Sequence, residues 1–177
     1  MFDKNTRIEG KKTIIRPFTE GDINANYISW LNDSIIMQYS NQRFLTHSKM
    51  SCLDYLKSFR DTTNSFFAIE DSDSNKLIGT MTVYFSEINR VADVGILIGD
   101  TKAAGKGYGK DSWCSMAEWL KKREEVRKIT AGTVSINKPM LALMSAANMT
   151  QDGCRRRHQI IQGHEVDVMY FAIFNDV

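Results

Sequence analysis

The stretch Val91-Ala92-Asp93-Val94-Gly95-Ile96-Leu97-Ile98, and the loop after it, Ala104-Gly105-Lys106-Gly107-Tyr108-Gly109-Lys110, decide the reading of this chain. The first eight residues are almost continuously apolar, the pattern of a central strand covered on both faces. Trp113, Met116, Ala117 and Leu120 then recur at helical spacing, so the order is strand, glycine-rich loop, helix over Lys110–Arg123. Glycine lets a backbone turn tightly and approach a ligand with no Cβ in the way. The helix that follows aims its unpaired N–H groups into the space ahead of it, and those groups favour an anion. A pyrophosphate suits such a loop. Two familiar phosphate loops are excluded. No Gly-Lys is followed by Ser or Thr at Walker spacing, and the third glycine of G-x-G-x-x-G is replaced by Lys110 or Ser112, depending on the register.

Working outward, the spacing predicts a hairpin over Arg7–Arg16 turning at Gly10, with Pro17 ending the second strand's ladder. Thr19-Glu20-Gly21-Asp22 has capping-box spacing, and Ile23, Tyr27, Trp30 and Leu31 follow as a helix face. Asn32-Asp33-Ser34 predicts a break and a short second helix through Ile35, Ile36 and Tyr39, with a third helix over Ser48–Arg60. Strands are expected at Ser65–Glu70, Leu77–Phe85, Val91–Ile98 and Lys128–Ile136, a helix at Met140–Ala147, and a closing strand pair at Cys154–Ile161 and Val166–Phe174. Asn148 is expected to stop the helix in the left-handed conformation. The sum is a mixed α/β (α+β) domain over residues 1–177, with a mostly antiparallel sheet flanked by helices and one helical crossover.

Composition narrows the classes. Of 177 residues, 42% are hydrophobic and 25% charged, the balance of a folded domain. A net charge of +2 is too small for a nucleic-acid binder. No apolar run is long enough to span a membrane, and Met1-Phe2-Asp3-Lys4-Asn5 lacks a leader's apolar core. Cys52, Cys114 and Cys154 are odd in number and widely spaced, which argues against a disulfide framework or a metal site and suits a reduced, cytoplasmic protein.

The strand, loop and helix together resemble the acetyl-CoA site of the GNAT superfamily of N-acetyltransferases, whose loop reads [QR]-x-x-G-x-[GA]. Gly107-Tyr108-Gly109 matches the glycine half, and Ala104 stands where the family has Gln or Arg. The GKGYG form is similar to the branch containing ribosomal-protein N-terminal acetyltransferases. Asn137-Lys138-Pro139-Met140-Leu141-Ala142-Leu143-Met144 is similar to the family's N-x-x-S-x-x-L-Y, with Met140 and Met144 at the Ser and Tyr positions. Tyr27-Ile28-Ser29-Trp30-Leu31-Asn32-Asp33 resembles members associated with surface-sugar biosynthesis. The element order fits from Thr13 to Phe174.

The resemblance implies that the central strand splays from its neighbour beyond Gly95 and that pantetheine enters the gap. Backbone groups of Leu97 and Ile98 then bond its amides, and the amides of Gly105, Lys106, Gly107, Tyr108, Gly109 and Lys110 hold the pyrophosphate. Asn137 sits by the thioester arm and counts as both a cofactor contact and a catalytic candidate. Acetyl-CoA is the cosubstrate and no metal is expected. Asp93, where many members carry a glutamate, is the first candidate for the base that takes the amine's proton; Glu87 is the second. Met144 cannot protonate a leaving thiolate, which leaves water or unassisted departure. The acceptor is expected to be a small-molecule primary amine, an amino sugar linked to a nucleotide, framed by Trp30, Tyr39, Arg43, Phe44 and Arg156. His47, His158 and His164 read as surface residues, and Arg155, Arg156 and Arg157 are expected to alternate faces. The alternatives are a protein N-terminal acetyltransferase and a non-catalytic acyl-CoA-binding module; a homodimer is left open.

Overall fold

The computed structural model describes residues 6–175; Met1–Asn5, read above for a leader, lie outside the described residues. The strands are β1 (Ile8–Glu9), β2 (Thr13–Pro17), β3 (Ser65–Asp71), β4 (Leu77–Ser86), β5 (Val91–Ile98), β6 (Lys128–Val134), β7 (Thr150–Ile161) and β8 (His164–Phe174). The helices are α1 (Ala25–Leu31), α2 (Lys49–Lys57), α3 (Tyr108–Lys121) and α4 (Lys138–Ala146). One eight-stranded sheet runs in the order β1-β2-β3-β4-β5-β6-β8-β7. Every ladder is antiparallel except β5–β6, the pair that α3 connects. This is the mixed, mostly antiparallel architecture expected from the sequence.

The period of two in the strands divides the core between the two faces of the sheet. Phe67, Ile69, Met81, Val83, Ala92 and Val94 turn toward α3 and α4, where they meet Trp113, Met116, Leu120 and Met144. Phe66 and Ala68 point the other way, onto Phe18, Tyr27, Trp30 and Cys52 beneath α1 and α2.

Two polar clamps join these layers. Asp111, in the first turn of α3, accepts bonds from the amides of Lys11 (3.0 Å), Lys12 (2.9 Å) and Thr13 (3.0 Å) and from the Thr13 hydroxyl (2.8 Å). A Cβ on Gly10 would lie 2.2 Å from Asp111 Oδ2, so only glycine lets the β1–β2 turn come this close to the carboxylate. Arg16 forks onto both oxygens of Asp22 (2.7 and 2.8 Å) and also donates to Glu70 (2.6 Å), tying β2 to β3 and to the entry of α1.

Four local readings are corrected. Ile35–Tyr39 forms turns, not a helix: Asp33 Oδ1 takes the amides of Ile35 and Ile36, and Ile35 points into solvent, so no apolar stripe builds up. A 3-10 turn follows at Asn41–Phe44. The third helix stops at Lys57. α3 starts two residues before Lys110, because left-handed Gly107 acts as its cap. Arg155–Arg157 do not alternate simply, because the β7–β8 register shifts between Arg155 and Gln159 and Arg157 takes a positive φ of 51°. Asn148 does take the left-handed conformation, at φ 56°.

Burial raises the Asp111 pKa, but the bonds from Lys12, Thr13 and Lys11 outweigh it and hold the carboxyl below its usual range. A carboxyl with a lowered folded pKa stabilises the fold above its unfolded pKa and loses that contribution as pH falls through the folded value. Asp111→Ala should therefore cost about 2–4 kcal/mol near neutral pH, read by urea denaturation. The gap to the parent should narrow as the solution is acidified below pH ~4.

Candidate functional site

The site begins where a ladder ends. β5 and β6 pair at Val91–Lys128, Ala92–Ile129 and Asp93–Thr130 and no further. β6 continues beside β8 as far as Val134–Val168, and β5 stays beside β4 as far as Gly79–Ile98. Val94–Ile98 therefore keeps one backbone edge with no neighbouring strand, and such amides and carbonyls need partners. Leu97 and Ile98, singled out in the sequence, lie in this stretch, but consecutive residues aim their backbone groups at opposite edges, so the Leu97 groups turn to β4 and those of Ile96 and Ile98 face the gap.

The loop leads away from the end of β5. Gly105 (φ 72°) and Gly107 (φ 86°) are left-handed, a region L side chains rarely enter, and open space surrounds the missing Cβ of Gly105. Gly107 caps α3, so the amides of Tyr108, Gly109 and Lys110 in its first turn have no carbonyl ahead of them in the helix. Tyr108 packs against the α3 face of the core, and its hydroxyl reaches Asp71 Oδ1 at 3.3 Å. The left-handed turns at Gly105 and Gly107 and the free amides of Tyr108, Gly109 and Lys110 thus form a run of backbone at a helix N-terminus that suits an anion such as a pyrophosphate, while the Lys106 amide is taken by the Ala103 carbonyl at 3.3 Å.

Asp93 stands at the fork, the last paired position before β5 and β6 part. Its Oδ2 accepts a 2.7 Å bond from Thr130 Oγ1. Although its side chain reaches solvent, desolvation by the surrounding sheet pushes its carboxyl pKa up, and the Thr130 bond opposes that shift. It lies on the face away from α3 and α4. Glu87 lies exposed in the turn before β5.

On the same face as Asp93, α1, α2 and the turns between them roof a cavity of about 500 Å³ over β4 and β5. Thr80, Thr82, Gly95 and Leu97 form its floor; Tyr27, Tyr55, Phe66, Ser40, Gln42 and His47 are among its walls. Among the described residues, no Asp, Glu, Lys or Arg lines it. The five acceptor residues named from sequence scatter. Trp30 is buried beneath Gly99 and does not line the cavity. Tyr39 packs against the hydrophobic end of β6 and the β7–β8 hairpin. Arg43 lies 4.2 Å over the Phe44 ring and donates to the Ser40 and Ile160 carbonyls, linking the 3-10 turn to β7. Phe44 is 74% exposed. Arg156 is exposed on β7. Sequence reasoning passed over Tyr55, whose hydroxyl meets that of Tyr84 at 3.0 Å, and Thr80 and Thr82; the alternation Thr80, Thr82, Tyr84 along β4 was the available signal.

Residues 12–150 match the family model described as an acetyltransferase (GNAT) domain. The chain belongs to the GNAT acetyltransferase family. It is accordingly an acyltransferase, of the acetyl-CoA-dependent N-acetyltransferase type. A curated relative, the N-acetyltransferase 9-like protein of Caenorhabditis briggsae, is 20% identical over 153 residues, which span 80% of this chain and 76% of the relative. Among solved structures, a ribosomal L7/L12 alpha-N-protein acetyltransferase in complex with coenzyme A superposes with a TM-score of 0.83 at 16% identity, covering 97% of this chain and 99% of that one. Spermidine N-acetyltransferase from Vibrio cholerae, in complex with CoA and spermine, gives 0.80 at 20% identity, covering 93% and 96%. At these identities the likeness is one of fold.

As a GNAT domain, the chain departs from the family pattern at three places. Ala104 has no side chain to offer the loop, and Met140 and Met144 carry no hydroxyl. Met144 is fully buried in the core under α4. Asn137 keeps its family position as the cap of α4: its Oδ1 accepts from Met140 N at 3.3 Å and its Nδ2 donates to Thr133 Oγ1 at 2.9 Å. Both polar atoms of Asn137 therefore already serve the fold at the β6–α4 corner. Asn137→Ala should lower stability by about 0.5–2 kcal/mol, the usual worth of an N-cap, measured by chemical denaturation.

Proposed function

We propose that this chain transfers an acetyl group from acetyl-CoA to the primary amine of a small hydroxylated acceptor, an amino sugar in nucleotide-linked form, by direct attack within a ternary complex. One observation carries the reading: the unpaired edge of β5 runs from the fork at Asp93 to the glycine loop, and the cavity opens on the same strand at Gly95 and Leu97. Pantetheine takes the place of the missing strand, with its amides on the gap-facing backbone groups of the Val94–Ile98 edge, Ile98 among them, and its pyrophosphate on the loop at residues 105–110. The acceptor amine reaches the thioester from the α1–α2 side.

The chemistry follows from these positions. Alkylamines are largely protonated near neutral pH, so a proton must leave before attack. Asp93, at the fork, takes it through water; desolvation raises its pKa, and the Thr130 hydroxyl favours the ionised form against that shift. A backbone N–H on the open edge of β5 stabilises the tetrahedral oxyanion. The hydroxyls and amide of Ser40, Gln42, Ser51, Thr80 and Thr82 match the hydroxyls of a sugar ring, and Tyr27, Tyr55 and Phe66 offer ring faces. A polyamine would bring several ammonium groups into a cavity with no lining carboxylate, which is costly. Arg43 and Arg156 are the candidate partners for the nucleotide's phosphates. A second reading, acetylation of a protein N-terminus, draws support from exposed Phe44 and Leu45, since Leu45 lines the cavity and could meet a peptide.

Thiol release from acetyl-CoA, measured with a nucleotide-linked amino sugar, a free amino sugar, a peptide and spermidine, tests the acceptor. The amino sugars should turn over fastest, with the nucleotide-linked form at the lower KM; a peptide preferred over both would establish the second reading instead. Asp93→Asn should reduce kcat by about 10²–10⁴, the usual worth of general base catalysis. Thr130→Val removes a donor to the ionised carboxylate, so the Asp93 pKa should rise further and the acid limb of the pH–rate profile should move to higher pH.

A further inference from the structure

The family's loop pattern opens with Gln or Arg, a side chain able to donate hydrogen bonds, and this chain has Ala104 there. A cation reaches the loop from elsewhere. Lys12, exposed at the turn of the β1–β2 hairpin, donates from Nζ to the Lys106 carbonyl at 2.9 Å, across 94 residues of sequence. A Cβ built on Gly107, the cap of α3, would lie 3.8 Å from that Nζ, so the ammonium sits at the helix N-terminus itself.

The hairpin fixes Lys12 from both sides. Its amide is held by Asp111 Oδ2 at 2.9 Å, and its carbonyl accepts from the Ser72 amide at 2.9 Å. The backbone is therefore ordered before any ligand arrives, and the side chain has only to extend over the loop. An ammonium carries three donors, and the Lys106 carbonyl takes one. That carbonyl is neutral, and among the described residues no carboxylate pairs with the Lys12 ammonium. Asp111, the carboxylate that holds the turn, already accepts three amides and a hydroxyl. Gly105 and Gly107 leave the approach open.

We propose that Lys12 supplies the cation of the CoA pyrophosphate site, replacing from the amino-terminal hairpin the donor that Ala104 lacks. This rests on the placement of acetyl-CoA proposed above. The pyrophosphate, and not the 3′-phosphate, is its partner, because Nζ lies over the cap residue whose following amides face the same point. Asp111 then has a second consequence: by holding the hairpin turn against α3 it keeps Lys12 at the loop.

The test is calorimetric binding of CoA, dephospho-CoA and pantetheine to the parent, Lys12→Met and Lys12→Arg, with thermal unfolding of each. Lys12→Met should weaken CoA and dephospho-CoA equally, about five- to tenfold in Kd, the range for loss of a charge-assisted bond at an exposed site. Lys12→Arg should recover most of that loss, and 0.5 M salt should shrink the difference. Pantetheine, which has no pyrophosphate, should bind all three proteins alike; a merely structural role for Lys12 would weaken it as well and overturn the proposal. A loss confined to CoA would move the contact to the 3′-phosphate and overturn it too, as would unchanged CoA affinity in Lys12→Met. A parent that binds no CoA would overturn the placement of acetyl-CoA, and this inference with it.

Discussion

A parallel ladder between β5 and β6 that lasts three residue pairs governs the rest of this structure. β5 is bound to β4 along its whole length, and β6 is bound to β8, so past Asp93 and Thr130 each strand follows its own partner. The sheet cannot close the wedge without giving up one of those two ladders. What remains is a backbone edge inside the domain whose hydrogen-bonding groups need a partner, and an amide-bearing arm such as pantetheine is of the right kind to provide it.

The glycine loop and the cavity take their places from that wedge. α3 must bridge β5 to β6 across the opening, so its N-terminus faces the mouth of the gap. Asp111 locks the β1–β2 turn onto this helix, and Arg16, between Asp22 and Glu70, locks β2 and β3 to the segment entering α1. The two clamps sit on opposite faces of the sheet. One braces the glycine loop and the other the segment entering α1, and the geometry of each half depends on residues far from the fork.

Much of this was legible in the chain. The unbroken apolar run at Val91–Ile98 marked the central strand, and the alternating glycines marked the helix start to within two residues. The capping box at Thr19–Asp22 and the left-handed Asn148 were readable because they rest on short-range bonds, although that box closes a 3-10 turn over Glu20–Asp22 and Asn24, not Thr19, caps α1, which leaves Ile23 ahead of the helix. The cavity beneath α1 and α2 was less legible for a physical reason. Its walls come from residues whose alternation is shared with ordinary core, and Trp30 and Tyr39 look like binding aromatics until packing puts Trp30 in the core and Tyr39, half-buried, against the β6 end and the β7–β8 hairpin. Thr130 and Lys12 gave no local signal, because each acts through a contact made only after distant strands and turns come together.

The neutral lining of the cavity has a consequence for the state in which an acceptor arrives. An ammonium moving there from water loses hydration and finds no counter-charge on the walls, so the wall favours the free base and lowers the amine's own pKa. If the amine acceptor enters this cavity as proposed, selection between its charged and uncharged forms begins at the entrance, before any proton reaches the carboxylate at the fork. Under the mechanism proposed above, the cavity would be a filter on protonation as well as on shape, and Asp93 the outlet for a proton whose departure the surroundings have already made favourable.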